Sequence, residues 1–113
     1  MLSHNVFFSL NDRSEASVAK MLAACRKYLT GHSGTQFFAC GTPNQELKRP
    51  VNDRDFDIAL VIVFDSKESH DAYQEAPAHD QFISENKASW RLVRVFDADV
   101  ESGSGAGTRP EVP

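Results

Sequence analysis

The segment FDIALVIVFDSKESHDAYQEAPAHD, residues 56–80, joins a strongly apolar strand to a helix that contains an internal proline. The strand, residues 56–64, is apolar on both sides. One side carries Phe56, Ile58, Leu60, Ile62 and Phe64, and the other carries Ala59, Val61 and Val63. A half-exposed strand would alternate apolar with polar residues, so this pattern predicts coverage of both faces. Helix 66–75 follows, and Pro77 interrupts it and starts a second helical segment.

Weaker patterns predict the remaining elements. Alternating side chains predict strands over residues 4–10, 35–41 and 91–98. An apolar stripe at helical spacing predicts a helix over 14–29. Residues 42–55 contain two prolines and no periodicity, and we expect a loop there. The order β-α-β-β-α-β predicts a ferredoxin-like α+β fold, with a four-stranded antiparallel sheet and helices on one face.

Length and composition limit the class of protein. The 113 residues suit one domain, which we place at 1–100, followed by a Gly-, Ser- and Pro-rich flexible tail at 101–113. A net charge of −4 and scattered basic residues argue against nucleic acid and anionic membranes as partners. Two cysteines make neither a disulfide framework nor a zinc site. Without a signal peptide or a membrane-spanning segment, we expect a cytoplasmic protein.

The sheet face opposite the helices is expected to be apolar. It would carry Phe7, Val61, Val63 and either Phe37 or Phe38. Exposed apolar area costs roughly 25 cal/mol per Å², and large apolar patches usually mark interfaces. We therefore predict a homodimer in which the two sheets pack face to face.

The helix-side face is expected to carry a cavity. The segment after Pro77 places His79, Phe82, Ile83, Asn86 and Trp90 on one helical face. His4 shares a strand face with Val6 and Phe8. The residues that we expect to line the cavity are Val6, Phe8, Phe82, Asn86 and Trp90. The imidazoles of His4 and His79 would converge there. We expect His32 and His70 to be exposed, and Asp53, Asp55 and Asp57 to be solvated charges near the loop.

Three motifs together resemble the stress-responsive A/B barrel (Dabb) family over residues 4–100. They are HNVFFSL at the first strand, FDIALVIVFDS at the third, and DAYQEAPAH followed shortly by QF. The resemblance implies a dimeric α+β barrel of two ferredoxin-like halves, in agreement with the patterns above. Loop 42–55 would border the mouth of the cavity.

The resemblance also implies candidate site residues. A plant polyketide cyclase of this family is similar in placing a histidine on the first strand, and a tyrosine and a histidine around the broken helix. The matching residues are His4, Tyr73 and His79, with His79 as base, Tyr73 as hydrogen-bond donor and His4 as orienting partner. The ligand would be a small apolar carbonyl compound, with no cofactor and no metal.

Two other functions stay open. The same residues suit a structural role, since His79 could bond backbone groups freed by the helix break; the chain would then be a non-catalytic, stress-responsive oligomeric protein. Cofactor-free monooxygenases of dimeric ferredoxin-like fold share the expected architecture but lack the P-x-H motif found at Pro77.

Overall fold

The computed structural model describes residues 1–103, so residues 104–113 of the predicted tail lie outside the described residues. The elements follow the predicted order, with the second helix divided in two. They are β1 Leu2–Leu10, α1 Glu15–Tyr28, β2 Thr35–Gly41, β3 Ile58–Phe64, α2 Lys67–Glu75, α3 Pro77–Asn86, a 3-10 turn Lys87–Ser89, and β4 Trp90–Asp99. The predicted ferredoxin-like α+β fold is confirmed.

All four strands belong to one antiparallel sheet in the order β2-β3-β1-β4. Strand β1 is central, and its residue His4 pairs with Ile62 of β3 on one side and Asp97 of β4 on the other. Helix α1 packs against β2 and β3, and α2 packs against β3. Val95, on the helix-side face of β4, remains 50% exposed. The helix layer therefore stops short of the edge strand, and this leaves room for a cavity.

The core lies between the helices and the helix-side face of the sheet. Strand β3 supplies its most buried residues, which are Ile58, Leu60, Ile62 and Phe64. The strand begins at Ile58, two residues later than the predicted start at Phe56. The backbone N–H of Phe56 donates to the carbonyl of Arg54 in a tight turn, and the Phe56 ring contacts Phe7 on the opposite face of the sheet.

The break in the helix occurs where the sequence predicts it. Ala76 has an extended backbone, with φ −66° and ψ 141°, and caps α3, whose first residue is Pro77. Proline disfavours helical geometry in the residue before it and suits the first turn of a helix. Ser66 caps α2 by accepting a hydrogen bond from the Ser69 backbone N–H. The break redirects the chain, so that α2 and α3 present different side chains to the same region of the sheet.

The opposite side of the sheet, which we call the open face, has no helix over it. Its side chains include Phe7, Phe37, Val61, Val63 and Phe96. Phe37 and Phe96 are 55% and 54% exposed. Of the two phenylalanines considered for this face, Phe37 is the one that lies on it. No helix in residues 1–103 is long and apolar enough to cross a membrane.

Loop 42–55 does not border the helix-side cavity, and this expectation was wrong. The Asp53 carboxylate accepts a hydrogen bond from Arg94 at 2.7 Å, and that of Asp55 accepts one from Arg91 at 3.1 Å. These ion pairs hold the loop beside the open face, where Asp53 lines a small groove with Phe96.

Asp57 is buried rather than solvated, which also corrects our expectation. One carboxylate oxygen accepts from the backbone N–H of Leu10 at 2.8 Å, and the other accepts from Arg13 Nε at 2.9 Å. A buried carboxylate needs such partners, because an unpaired one would lose its hydration without compensation. Asp57 therefore ties the end of β1 to the start of β3.

Candidate functional site

A cavity of about 250 Å³ lies between the broken helix and strands β1 and β4. Most of its wall is apolar, and the predicted residues Val6, Phe8, Phe82 and Trp90 line it. The polar residues of its wall are His4, His70, Tyr73, Gln74, His79 and Asp97. An apolar cavity with a few converging polar groups is the usual form of a small-molecule site.

Asn86 does not line this cavity, in contrast to our prediction. Its Nδ2 donates to the carbonyl of Phe82 at 2.8 Å, one helical turn earlier, and the side chain is buried against α1. A buried amide gains more from this bond than from an apolar wall that offers it no partner.

His4 is held by a carboxylate that sequence reasoning did not identify. Its Nδ1 lies 2.5 Å from Asp97 Oδ1, across the β1–β4 ladder. Because an ionised carboxylate only accepts hydrogen bonds, Nδ1 carries the proton and Nε2 keeps its lone pair. His4 is 4% exposed. Burial lowers the pKa of His4, and the hydrogen bond to Asp97 opposes that shift.

Tyr73 and His79 meet across the helix break. Tyr73 lies near the end of α2 and His79 in the first turn of α3, and their ring centroids are 4.9 Å apart. The centroids of His4 and Tyr73 are 6.0 Å apart. The structure therefore brings the three predicted residues together on one cavity wall, although β1 and the broken helix are about 70 residues apart in sequence.

The protonation states of Tyr73 and His79 follow from burial. Burial raises the pKa of Tyr73 well above its ordinary value, so that the hydroxyl stays protonated. Burial also lowers the pKa of His79, with Asp80 opposing and the other histidines reinforcing the shift. The Nδ1 of His79 is buried and has no hydrogen-bond partner among residues 1–103. His79 is thus a neutral imidazole with an unused polar atom.

His32 and His70, which were expected to be exposed, lie in the same aromatic cluster as Tyr73 and His4. The ring centroid of His32 is 5.0 Å from that of Tyr73, and that of His70 is 4.9 Å from that of His4. Both residues are partly buried. The sequence held a signal for His70, since it precedes Tyr73 by three residues on one helix and so shares its face. His4, His70 and Asp97 also each offer a metal-ligating atom within 4.8 Å of the others.

The fold and this cavity define a ferredoxin-like domain with a buried histidine–tyrosine site. The chain belongs to the stress responsive A/B barrel domain (Dabb) family, whose model matches residues 2–100, and the predicted family is thereby confirmed. No curated protein sequence matches the chain.

Solved structures support the same fold. A dimeric ferredoxin-like protein of unknown function from Thermobifida fusca is 20% identical, with a TM-score of 0.72, and the match covers 88% of this chain and 90% of that one. A Dabb family protein from Mesorhizobium loti is 17% identical, with a TM-score of 0.73 and coverage of 89% and 97%. Hydroxynitrile lyase from Passiflora edulis is 19% identical, with a TM-score of 0.70 and coverage of 96% of both chains.

Proposed function

We propose that the cavity binds a small apolar carbonyl compound and catalyses proton transfer at the carbon next to the carbonyl, without a cofactor. The observation that carries this proposal is the convergence of Tyr73 and His79 on the wall of one largely apolar cavity. The cavity is not filled by Phe8 and Trp90, which form its wall. A volume of about 250 Å³ suits a ligand smaller than a typical drug molecule.

The roles follow from the protonation states. Neutral His79 accepts the proton when the C–H bond breaks, and the electron pair forms an enolate. The Tyr73 hydroxyl, kept protonated by burial, donates a hydrogen bond to the enolate oxygen. His4, oriented by Asp97, positions the ligand. In a cyclase the enolate carbon would then attack a second carbonyl of the same molecule, and the resulting alkoxide would take a proton back from His79, which restores the neutral imidazole.

Turnover of a panel of β-keto thioesters tests this assignment. Replacement of a general base costs typically 10²–10⁴-fold in rate, which we expect for His79→Gln, and we expect a loss of roughly 10²-fold for Tyr73→Phe. His32→Gln is the matched control, because His32 also contacts the Tyr73 ring but does not line the cavity. Rates equal to wild type in both site variants would dismiss the roles. Wild-type rates no faster than the uncatalysed reaction across the panel would dismiss the activity.

The exposed aromatic side chains favour a second proposal, that the chain is an oligomer built through its open face. Phe37 and Phe96 are each more than half exposed on a face that also carries Phe7. A second copy packed sheet to sheet would cover these rings in both chains at once. In the non-catalytic alternative, this stable, stress-responsive assembly is itself the function. Sedimentation that shows a monomer at every concentration would exclude the dimer. A cytoplasmic location stays a prediction.

A further inference from the structure

We propose that His4, His70 and Asp97 form a binding site for a divalent transition metal of the zinc class at the β4 side of the cavity. One ring nitrogen from each histidine and one carboxylate oxygen lie within 4.8 Å of one another. Two imidazoles and a carboxylate are a donor set that zinc accepts, with the remaining positions open to water or a ligand. The site shares His4 and Asp97 with the proposed proton transfer, but that reaction requires no ion, and metal binding can be measured in the absence of any substrate.

The hydrogen bonding of His70 is the second observation. Its Nδ1 lies 3.0 Å from Asp71 Oδ1. Because the Asp71 carboxylate can only accept, Nδ1 carries the proton and Nε2 has a free lone pair. That Nε2 is buried and has no hydrogen-bond partner within residues 1–103. A metal-binding histidine usually donates its other N–H to a carboxylate, which fixes the ring and strengthens the ligand.

The site requires only a small adjustment. Zinc–ligand distances of about 2.0–2.2 Å place tetrahedral donor atoms roughly 3.4 Å apart. The three donor atoms here lie within 4.8 Å of one another. His4 Nδ1 and Asp97 Oδ1 are a hydrogen-bonded pair 2.5 Å apart, so an ion that binds both atoms would have to displace the proton between them. Binding would therefore require the side chains of His70 and Asp97 to rotate. The Asp97 side chain is 42% exposed, so an ion can reach the cluster from solvent.

Zinc and cobalt titrations of the untagged full chain, stripped with a chelator and measured without substrate, test the proposal. We expect one ion per chain by calorimetry and a rise in melting temperature with zinc, since an ion that binds only the folded state stabilises it. Removal of the group that hydrogen-bonds a metal-binding histidine typically costs 10–100-fold in metal affinity, which we expect for Asp71→Asn. His70→Gln and Asp97→Asn should weaken binding further.

His32→Gln is the matched control and should bind zinc as wild type does, because His32 lies outside the three-residue cluster. The visible spectrum of bound cobalt should show nitrogen and oxygen ligands without thiolate charge transfer, which separates this site from Cys25 or Cys40. Circular dichroism of each variant serves as the control for folding. Absence of stoichiometric binding by folded wild type would overturn the proposal, as would unchanged affinity in both His70→Gln and Asp97→Asn. Because no substrate is present, neither result bears on the proton-transfer activity.

Discussion

Both faces of the four-stranded sheet carry aromatic and branched aliphatic side chains, but only one face lies under helices. On the helix-covered face, Phe64 is fully buried and Phe8 is 3% exposed, whereas Phe37 on the open face is 55% exposed. The covered face also holds the cavity and its histidines, because the helix layer ends before β4. One face therefore supplies monomer stability and the candidate site, and the other is the surface that we propose for association.

The largest expected effect separates the two faces by stability. Phe64→Ala removes a fully buried ring, which typically costs about 3–5 kcal/mol in the free energy of unfolding. Phe37→Ala, measured at a concentration low enough to give monomers, should change that energy by no more than about 0.5 kcal/mol. Urea denaturation of both variants gives the comparison. Similar losses would mean that the open face is packed within the monomer.

Association should respond in the opposite way. Phe37→Asp places a charge on the open face, and two-fold symmetry would bury that charge twice per dimer. We expect the dissociation constant to rise on the order of 100-fold, because each unpaired buried charge is costly. Val51→Asp, at an 82% exposed loop position, is the control for added charge. Sedimentation velocity over a concentration series measures the change. A dimer of unaltered affinity would place the interface elsewhere.

A buried and an exposed carboxylate should differ in how much each stabilises the fold, by less than the two phenylalanines do. Asp57→Ala leaves the buried Leu10 N–H without its partner, and such a loss costs about 1–3 kcal/mol in the free energy of unfolding. Asp55→Ala removes an exposed ion pair with Arg91, which is worth about 0–1 kcal/mol. Thermal unfolding distinguishes them. Equal destabilisation would contradict a structural role for Asp57.

Acidification should destabilise the folded protein through the buried histidines of the helix-covered face. The pKa values of His4 and His79 are lowered in the folded state, chiefly by burial, so the unfolded chain binds protons more readily. Their contribution is fully present above the unfolded pKa of about 6.5 and is lost as pH falls below it. The melting temperature should therefore decrease between pH 7.5 and 5.5. His79→Gln should flatten this decrease, and an unchanged slope would exclude His79 as a contributor.

The sequence predicted the fold because local periodicity reports which side of each element is covered. The apolar strand before Asp65, the break at Pro77 and the shared strand face of His4 and Phe8 were all visible in this way. The same periodicity could have shown that His70 lies on the face of Tyr73. Asp97 was harder to find, because only the β1–β4 register places it opposite His4.

The predictions from sequence were wrong where long-range polar contacts decide the position of a side chain or a loop. Asp57 looked like one of three alternating surface carboxylates, yet bonds to Leu10 and Arg13 bury it. Loop 42–55 was expected at the cavity but is held at the other face by ion pairs such as that of Asp53 with Arg94. No local pattern encodes these partners, since each lies more than 40 residues away from its carboxylate.

The sequence by itself determined the elements, their order and the two apolar faces of the sheet, because backbone geometry imposes periods of 2.0 and 3.6 residues on buried side chains. Tertiary structure alone decided which groups meet. His4 and Asp97 are 93 positions apart and become neighbours through strand register, and the His70 Nε2 loses solvent only when α2 packs over the sheet. The proposed chemistry of this domain depends on these contacts.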